Sequence, residues 1–217
     1  MDLLDFARGP ALQWSLYILV IGVAWRLIGV LLLRRKADHS EPRSTATARG
    51  ALFTIWRRMW PRKEFQARTV YGQTVGYVFH IGLALVVFGF VPHILFIKDL
   101  TGLSWPGLPS NVVYLIGVVT LAALILALVR RMTHPVLRLL SNFDDYFSWI
   151  VTTLPVLTGL LAVAHLGARY ETLLAIHILS VELLFVWFPF GKLMHAILFA
   201  FSRGSTGALF ARRGAST

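Results

Sequence analysis

Five histidines lie within or at the ends of long apolar stretches, where ionisable side chains are costly and usually functional. They are His80, His93, His165, His177 and His195, whereas His39 and His134 lie in polar connections. His177 and His195 are 18 residues apart. That spacing is five helical turns, which predicts that both project from one helix face, about 27 Å apart. Histidines on two facing helices at one depth are the axial ligands of a six-coordinate b-type haem.

Two such pairs are expected. The stretch that carries His80 and His93 runs antiparallel to the stretch that carries His177 and His195. His80 therefore matches His195 in depth, and His93 matches His177. Two levels of paired histidines would hold two haems, one near each membrane surface, and such an arrangement carries electrons across a membrane.

The pair of His93 and His177 is the less regular one. His80 and His93 are 13 residues apart, which places them about 140° apart on a straight helix. Pro92 can change the winding there, and His165 is the rival second ligand. A zinc or di-iron site is a poor alternative, because Glu182 is the one carboxylate within the spans.

Two further ionisable side chains accompany the histidines. Glu182 lies a turn and a half inside His177, where it would relay quinol protons or serve as a hydrogen-bonded interhelical carboxyl. Lys192 lies three residues before His195. It would contact a haem propionate or extend to the phospholipid headgroups.

The composition indicates which elements hold these residues. Of 217 residues, 57% are hydrophobic and 14% charged, and the mean hydropathy is +0.69. A soluble domain carries about a quarter charged residues, so disorder, collagen and a disulfide-stapled fold are excluded.

A spanning helix needs about 20 apolar residues. Five stretches meet that need and predict an all-α bundle of five transmembrane helices in a single domain, 1–217: residues 12–33, 74–97, 111–129, 147–166 and 173–200.

The net charge of +11 reports orientation. Sixteen basic residues lie in the 34–73 loop, the third-to-fourth connection and the C-terminal tail, against Arg8, Lys98 and Arg169 on the other side. The positive-inside rule then predicts a periplasmic N-terminus and a cytoplasmic C-terminus in a bacterial inner membrane. Because the basic residues flank spans, nucleic-acid binding has no support.

The basic loop 34–73 is expected to be cytoplasmic. Its second half, residues 51–65, mixes aromatic and basic residues and predicts a short interfacial helix that ends near Pro61. This segment would dock a cytoplasmic partner, anchor the chain to the inner leaflet, or do both. The sequence has no cysteine, so an iron–sulfur cluster would have to belong to a partner subunit.

Two segments resemble the respiratory nitrate reductase gamma subunit family, which includes cytochrome b subunits of sulfite-reductase-linked and heterodisulfide-reductase-like membrane complexes. They are residues 79–83 (FHIGL) and residues 188–195 (FPFGKLMH), the latter preceded by His177. The similarity covers most of the chain, including five spans and the 18-residue histidine spacing.

The resemblance implies a haem b membrane subunit with His80 and His195 on the cytoplasmic haem and His177 on the periplasmic one. The family places the partner of His177 ten residues after the first histidine, and that position is Phe90 here. Either His93 takes over, or the periplasmic haem is altered or absent, so one or two haems are expected.

The expected function is electron transfer between the quinone pool and a cytoplasmic iron–sulfur subunit of a respiratory complex, as quinol oxidation or quinone reduction. The chemistry of the terminal substrate would lie on other subunits. Two alternatives are a proton-coupled transporter component and a non-redox structural membrane anchor.

Overall fold

The computed structural model describes residues 2–33 and 38–215, and its regular secondary structure there is helical throughout. The helices are α1 (Leu3–Phe6), α2 (Leu12–Leu32), α3 (Thr47–Arg57), α4 (Gln66–Gly89), α5 (Val91–Thr101), α6 (Ser110–Thr133), α7 (Pro135–Leu140), α8 (Phe143–Ala164), α9 (Tyr170–Trp187) and α10 (His195–Arg212).

Five helical segments of the described chain are long and apolar enough to cross a membrane, which confirms the predicted number of spans. They are Leu3–Leu32, Lys63–Gly89, Ser110–Thr133, Phe143–Ala164 and Tyr170–Trp187. The fourth is continuous although it contains Pro155. Large apolar side chains on these segments face outward, among them Trp25 and Leu32, which are 62% and 74% exposed. Lipid is the solvent that such surfaces require.

The chain forms two compact units. The first contains the residues up to Leu19 together with Val70–Trp187, and the second contains Val20–Thr69 with Phe188–Thr217. In the first unit, α8 packs against both α6 and α9, and α9 also contacts the N-terminal segment.

The second predicted span, 74–97, is interrupted. Helix α4 ends at Gly89, Phe90 has an extended backbone (φ −81°, ψ 124°), and α5 begins at Val91. Pro92 explains the break, because its ring lacks an N–H and clashes with the helical carbonyl four residues earlier, that of Phe88. The sequence predicted altered winding at this proline, and the structure replaces the straight helix by two.

Two backbone carbonyls at the break, those of Phe88 and Gly89, accept hydrogen bonds from the loop that follows α5. The Trp105 indole Nε1 donates to the carbonyl of Phe88 over 2.6 Å. The Leu108 amide donates to the carbonyl of Gly89 over 2.8 Å. Interrupted helices at membrane depth need such substitutes, because lipid supplies none.

The last predicted span, 173–200, is also two helices rather than one. Helix α9 ends at Trp187, and a turn through Pro189 and Gly191 precedes α10. The prediction that His177 and His195 project from one helix face is therefore wrong, because the five-turn spacing holds only for an unbroken helix.

At one end of the first unit, the polar side chains are paired with each other. Arg131 Nη1 lies 3.0 Å from Asp145 Oδ1 and donates to Ser141 Oγ over 2.9 Å. Asn142 and Asp145 form a reciprocal capping box at the start of α8. Nearby, Trp187 Nε1 donates to Ser148 Oγ over 3.0 Å.

In the second unit, α3 packs closely on α10. The contact runs through glycines, since a Cβ at Gly50 would come within 2.7 Å of the Gly207 carbonyl oxygen. Small residues let two helix backbones approach in this way. A helix overlaps the predicted segment 51–65, but it begins at Thr47 and ends at Arg57, before Pro61. Its interfacial position stays a prediction.

A short ion-paired turn follows the undescribed residues Arg34, Arg35 and Lys36, whose predicted place in the basic loop lies outside the described chain. Asp38 accepts a hydrogen bond from Ser40 Oγ over 2.7 Å and another from Arg213 Nε over 3.1 Å. These bonds, that of Ser40 first, hold the pKa of Asp38 well below its usual range.

Candidate functional site

The rings of His93 and His177 face each other within the first unit. Their centroids are 6.1 Å apart, and the ring planes are inclined by only 20°. Both side chains are half-buried. The structure therefore places together the two histidines whose pairing was less regular by sequence.

Hydroxyl groups hold the ring of His177. Its Nδ1 lies 3.2 Å from Thr158 Oγ1. The Thr158 hydroxyl donates to the Leu154 carbonyl over 2.8 Å, and the Ser180 hydroxyl donates to the His177 carbonyl over 2.7 Å. The Thr158 hydroxyl also lies 3.0 Å from Ser180 Oγ. In the tautomer in which Nδ1 of His177 donates to Thr158 Oγ1, Nε2 carries the lone pair.

Gly159 gives the ring of His177 its place against α8. A Cβ at Gly159 would lie 3.1 Å from Cε1 of His177, so the imidazole would have to move by a few tenths of an ångström to accommodate it. Glycine therefore lets the His177 ring lie close against α8.

The helix break positions His93. Its Nδ1 lies 3.1 Å from the carbonyl oxygen of Val86 and donates to it. The ring of Phe90 meets the His93 ring edge-on, with centroids 5.3 Å apart. Because the chain changes direction at Phe90, the 140° offset of a straight helix does not apply, and His93 faces His177 from a helix of its own.

The separation of the two rings can be compared with that of two imidazoles bound to one iron. A metal–imidazole bond is about 2 Å long, so two imidazoles on opposite sides of one iron have ring centroids about 6 Å apart. The observed separation is 6.1 Å. Nδ1 of His93 donates to a carbonyl oxygen, which leaves its lone pair on Nε2, and Nδ1 of His177 contacts the Thr158 hydroxyl.

The rival ligand His165 is engaged elsewhere. It ends α8 in a left-handed conformation (φ 53°). Its Nδ1 contacts the carbonyl oxygen of Val163 over 3.1 Å, and its ring stacks on Tyr170 with centroids 5.1 Å apart. This local arrangement favours His93 over His165 as the partner of His177.

His80 lies in the first unit and His195 in the second, and their pairing stays a prediction. In each, Nδ1 donates over 2.7 Å to a backbone carbonyl, that of Gly76 and that of Lys192 respectively. Their neutral tautomer therefore also carries the lone pair on Nε2. The predicted contact of Lys192 with a propionate stays a prediction too, and its side chain is exposed.

Glu182 is buried in the first unit, with 5% of its surface exposed. Its Oε1 has no hydrogen-bond partner within the described chain. Sequence reasoning identified this carboxyl but missed the groups that contact the two histidines: Thr158, Ser180 and the carbonyl of Val86. A threonine one residue before Gly159 on the neighbouring span was the available signal.

Together, five apolar helices and outward-facing apolar side chains define a multi-pass helical membrane protein. Over 217 aligned residues, the chain is 32% identical to a protein of Nitratidesulfovibrio vulgaris (strain Hildenborough) described simply as "Protein", with 98% of this chain and 96% of the relative covered. The chain belongs to the same family as this relative. No protein-family model and no solved structure matches this chain.

Proposed function

We propose that this protein is a haem b membrane subunit of a respiratory complex. It transfers electrons between the quinone pool and an iron–sulfur subunit at the cytoplasmic face of a bacterial inner membrane. The observation that supports this proposal most strongly is the facing pair of His93 and His177, each held through Nδ1.

In this proposal, His93 and His177 hold one haem, and His80 with His195 holds the second. When bound, haem b supplies reversible one-electron chemistry. The carbonyl oxygens would hold the rings of His93, His80 and His195 through Nδ1, and Thr158 would orient the ring of His177. The apolar spans keep water away from the site, which tunes redox potential.

The topology belongs to the same proposal. The Arg131 end of the first unit faces the cytoplasm, as the positive-inside rule requires for the basic connection between α6 and α8. The end with His93 and His177 then faces the periplasm. Quinol oxidised there would release its protons to the periplasm and deliver its electrons to the cytoplasmic partner. Quinone reduction is the same path reversed.

An absorption spectrum of the purified full-length chain tests the proposal. We expect sharp dithionite-reduced α-bands of b-type haem and two haems per chain by pyridine haemochrome assay. A protein that is folded by circular dichroism, expressed with ample haem supply and colourless in this assay would contradict it.

One observation favours a second candidate, a proton-coupled transporter component. Glu182 is buried without a hydrogen-bond partner for Oε1 among the described residues, on the helix that also carries His177. Intramembrane carboxyls and histidines form proton relays in transporters. Proton uptake by haem-free proteoliposomes that is lost in Glu182→Gln would support this candidate over the first.

A further inference from the structure

The second unit contains an open cavity of about 570 Å³ beside the C-terminal end of α3. Its lining consists of three arginines and two aromatic residues: Arg58, Trp60, Arg62, Phe65 and Arg203. We refer to it as the arginine cavity. No histidine is among these lining residues, and the proposed electron transfer does not involve this cavity.

The charge of the arginine cavity is of one sign. No carboxylate is among its lining residues in the described part of the chain. Arg203 is half-buried, and contacts with Met59 Sδ (3.4 Å) and with the ring of Phe199 (5.6 Å from Cζ to the centroid) set its position. Three guanidinium groups around one space form a site for a multivalent oxyanion, because their planar forks match phosphate oxygens.

The rim of the arginine cavity is apolar. Trp60 and Phe65 are 65% and 57% exposed. The outward side of α3 continues this surface with Leu52 and Trp56, which are 70% and 73% exposed. Basic residues beside exposed aromatic rings are typical of a helix in the membrane interface, with its rings at headgroup level.

We propose that the arginine cavity binds the phosphate headgroup of an anionic phospholipid, with Trp60 and Phe65 against the upper part of its acyl chains. The three arginines explain the requirement for net negative charge. The apolar rim favours a lipid over a free phosphate or an acidic peptide, because neither of these would cover the exposed rings.

Native mass spectrometry of the full-length, detergent-solubilised chain tests this site by titration with phosphatidylglycerol and, separately, phosphatidylcholine. We expect one saturable phosphatidylglycerol per chain, bound at least tenfold more tightly than phosphatidylcholine. Arg58→Gln and Arg62→Gln should each weaken phosphatidylglycerol binding about fivefold, since one arginine near an anionic surface contributes about that factor. Both side chains are exposed, so neither substitution disturbs packing.

Arg49→Gln is the matched control. Arg49 is an exposed arginine of α3 that does not line the arginine cavity, so its loss should leave the affinity unchanged. Equal weakening by Arg49→Gln would show diffuse charge attraction and overturn the proposal. Displacement of the lipid by equimolar inorganic phosphate or by a polyglutamate peptide would overturn the assignment to a phospholipid.

Discussion

The two ends of the first unit differ in how their polar side chains are paired. At one end, Arg131 bonds to both Ser141 and Asp145. At the other end, Nδ1 of His93 and Nδ1 of His177 contact oxygen atoms of the protein, and the two rings lie beside each other. The first arrangement stabilises a helix connection, whereas the second brings two imidazoles together with no opposite charge between them. This difference separates a structural polar cluster from a candidate ligand site.

The largest effect is expected for His177→Ala. If the proposed function is right, this substitution removes a haem ligand, and the chain should retain one haem instead of two, with about half of the α-band absorbance. The pyridine haemochrome assay measures the ratio. His165→Ala is the control and should retain both haems, because its ring stacks on Tyr170. Retention of both haems by the His177 variant would remove this pair from the proposal.

A smaller effect is expected for Thr158→Val. This substitution keeps the shape of the side chain and removes the hydroxyl that contacts Nδ1 of His177. Loss of such an outer hydrogen bond typically weakens metal-site affinity about 10–100-fold. Transfer of haem to excess apomyoglobin should be correspondingly faster for one of the two haems. Thr152→Val removes a hydroxyl of α8 whose one bond within the described chain is to the Ser148 carbonyl, and the haem transfer rate of this variant should equal that of the parent.

At the opposite end, Arg131→Met should change stability and leave haem content intact. It leaves Asp145 without its cation, and the Asp145 side chain is only 8% exposed. Since Arg131 itself is 36% exposed, we expect a loss of about 1–3 kcal/mol in the free energy of unfolding rather than the full buried-pair value. Unfolding by dodecyl sulfate in mixed micelles measures this loss.

Arg138→Met is the control, at an exposed position of α7, and its free energy of unfolding should differ little from that of the parent. Equal destabilisation by both variants would contradict the pairing of Arg131 with Asp145.

The smallest effect is expected at Asp38, in the second unit. Its pKa is lowered in the folded chain, so its contribution to stability is complete above the usual carboxyl range, about 4, and is lost as the pH falls further. Hydrogen exchange at the Arg43 amide reports the stability of this turn, because that amide donates to the Arg212 carbonyl over 2.8 Å. The difference in protection between the parent and Asp38→Asn should be constant from pH 7 to about 5 and should begin to shrink below about 4. A difference that persists unchanged to pH 2 would exclude this role for Asp38.

Hydropathy was sufficient to predict five spans, because a helix that crosses lipid needs a long apolar run whatever its partners. It was not sufficient to predict where helices break. Pro155 and Pro92 both lie in apolar runs, yet α8 continues through the first and the chain breaks at the second. The donors that stabilise the second break are Trp105 and Leu108, which lie in a separate loop, so the local sequence does not contain the deciding information.

The candidate site was predictable in its residue types and less so in its geometry. The histidines could be identified because imidazoles in an apolar run are rare and costly. The shared face of His177 and His195 could not be inferred, since it assumed a helix that continues through Pro189. Conversely, the straight-helix offset understated the pairing of His93 with His177, because the break at Phe90 redirects the chain.

The glycine contact between α3 and α10 has a consequence for the order of synthesis. Helix α3 ends at Arg57 and α10 begins at His195. At ordinary translation rates, the intervening chain takes of the order of ten seconds to make. During that interval the small-residue face of α3 has no partner, and Leu52 and Trp56 remain exposed beside it. A chain truncated before α10 would therefore leave the glycine contact surface of α3 uncovered.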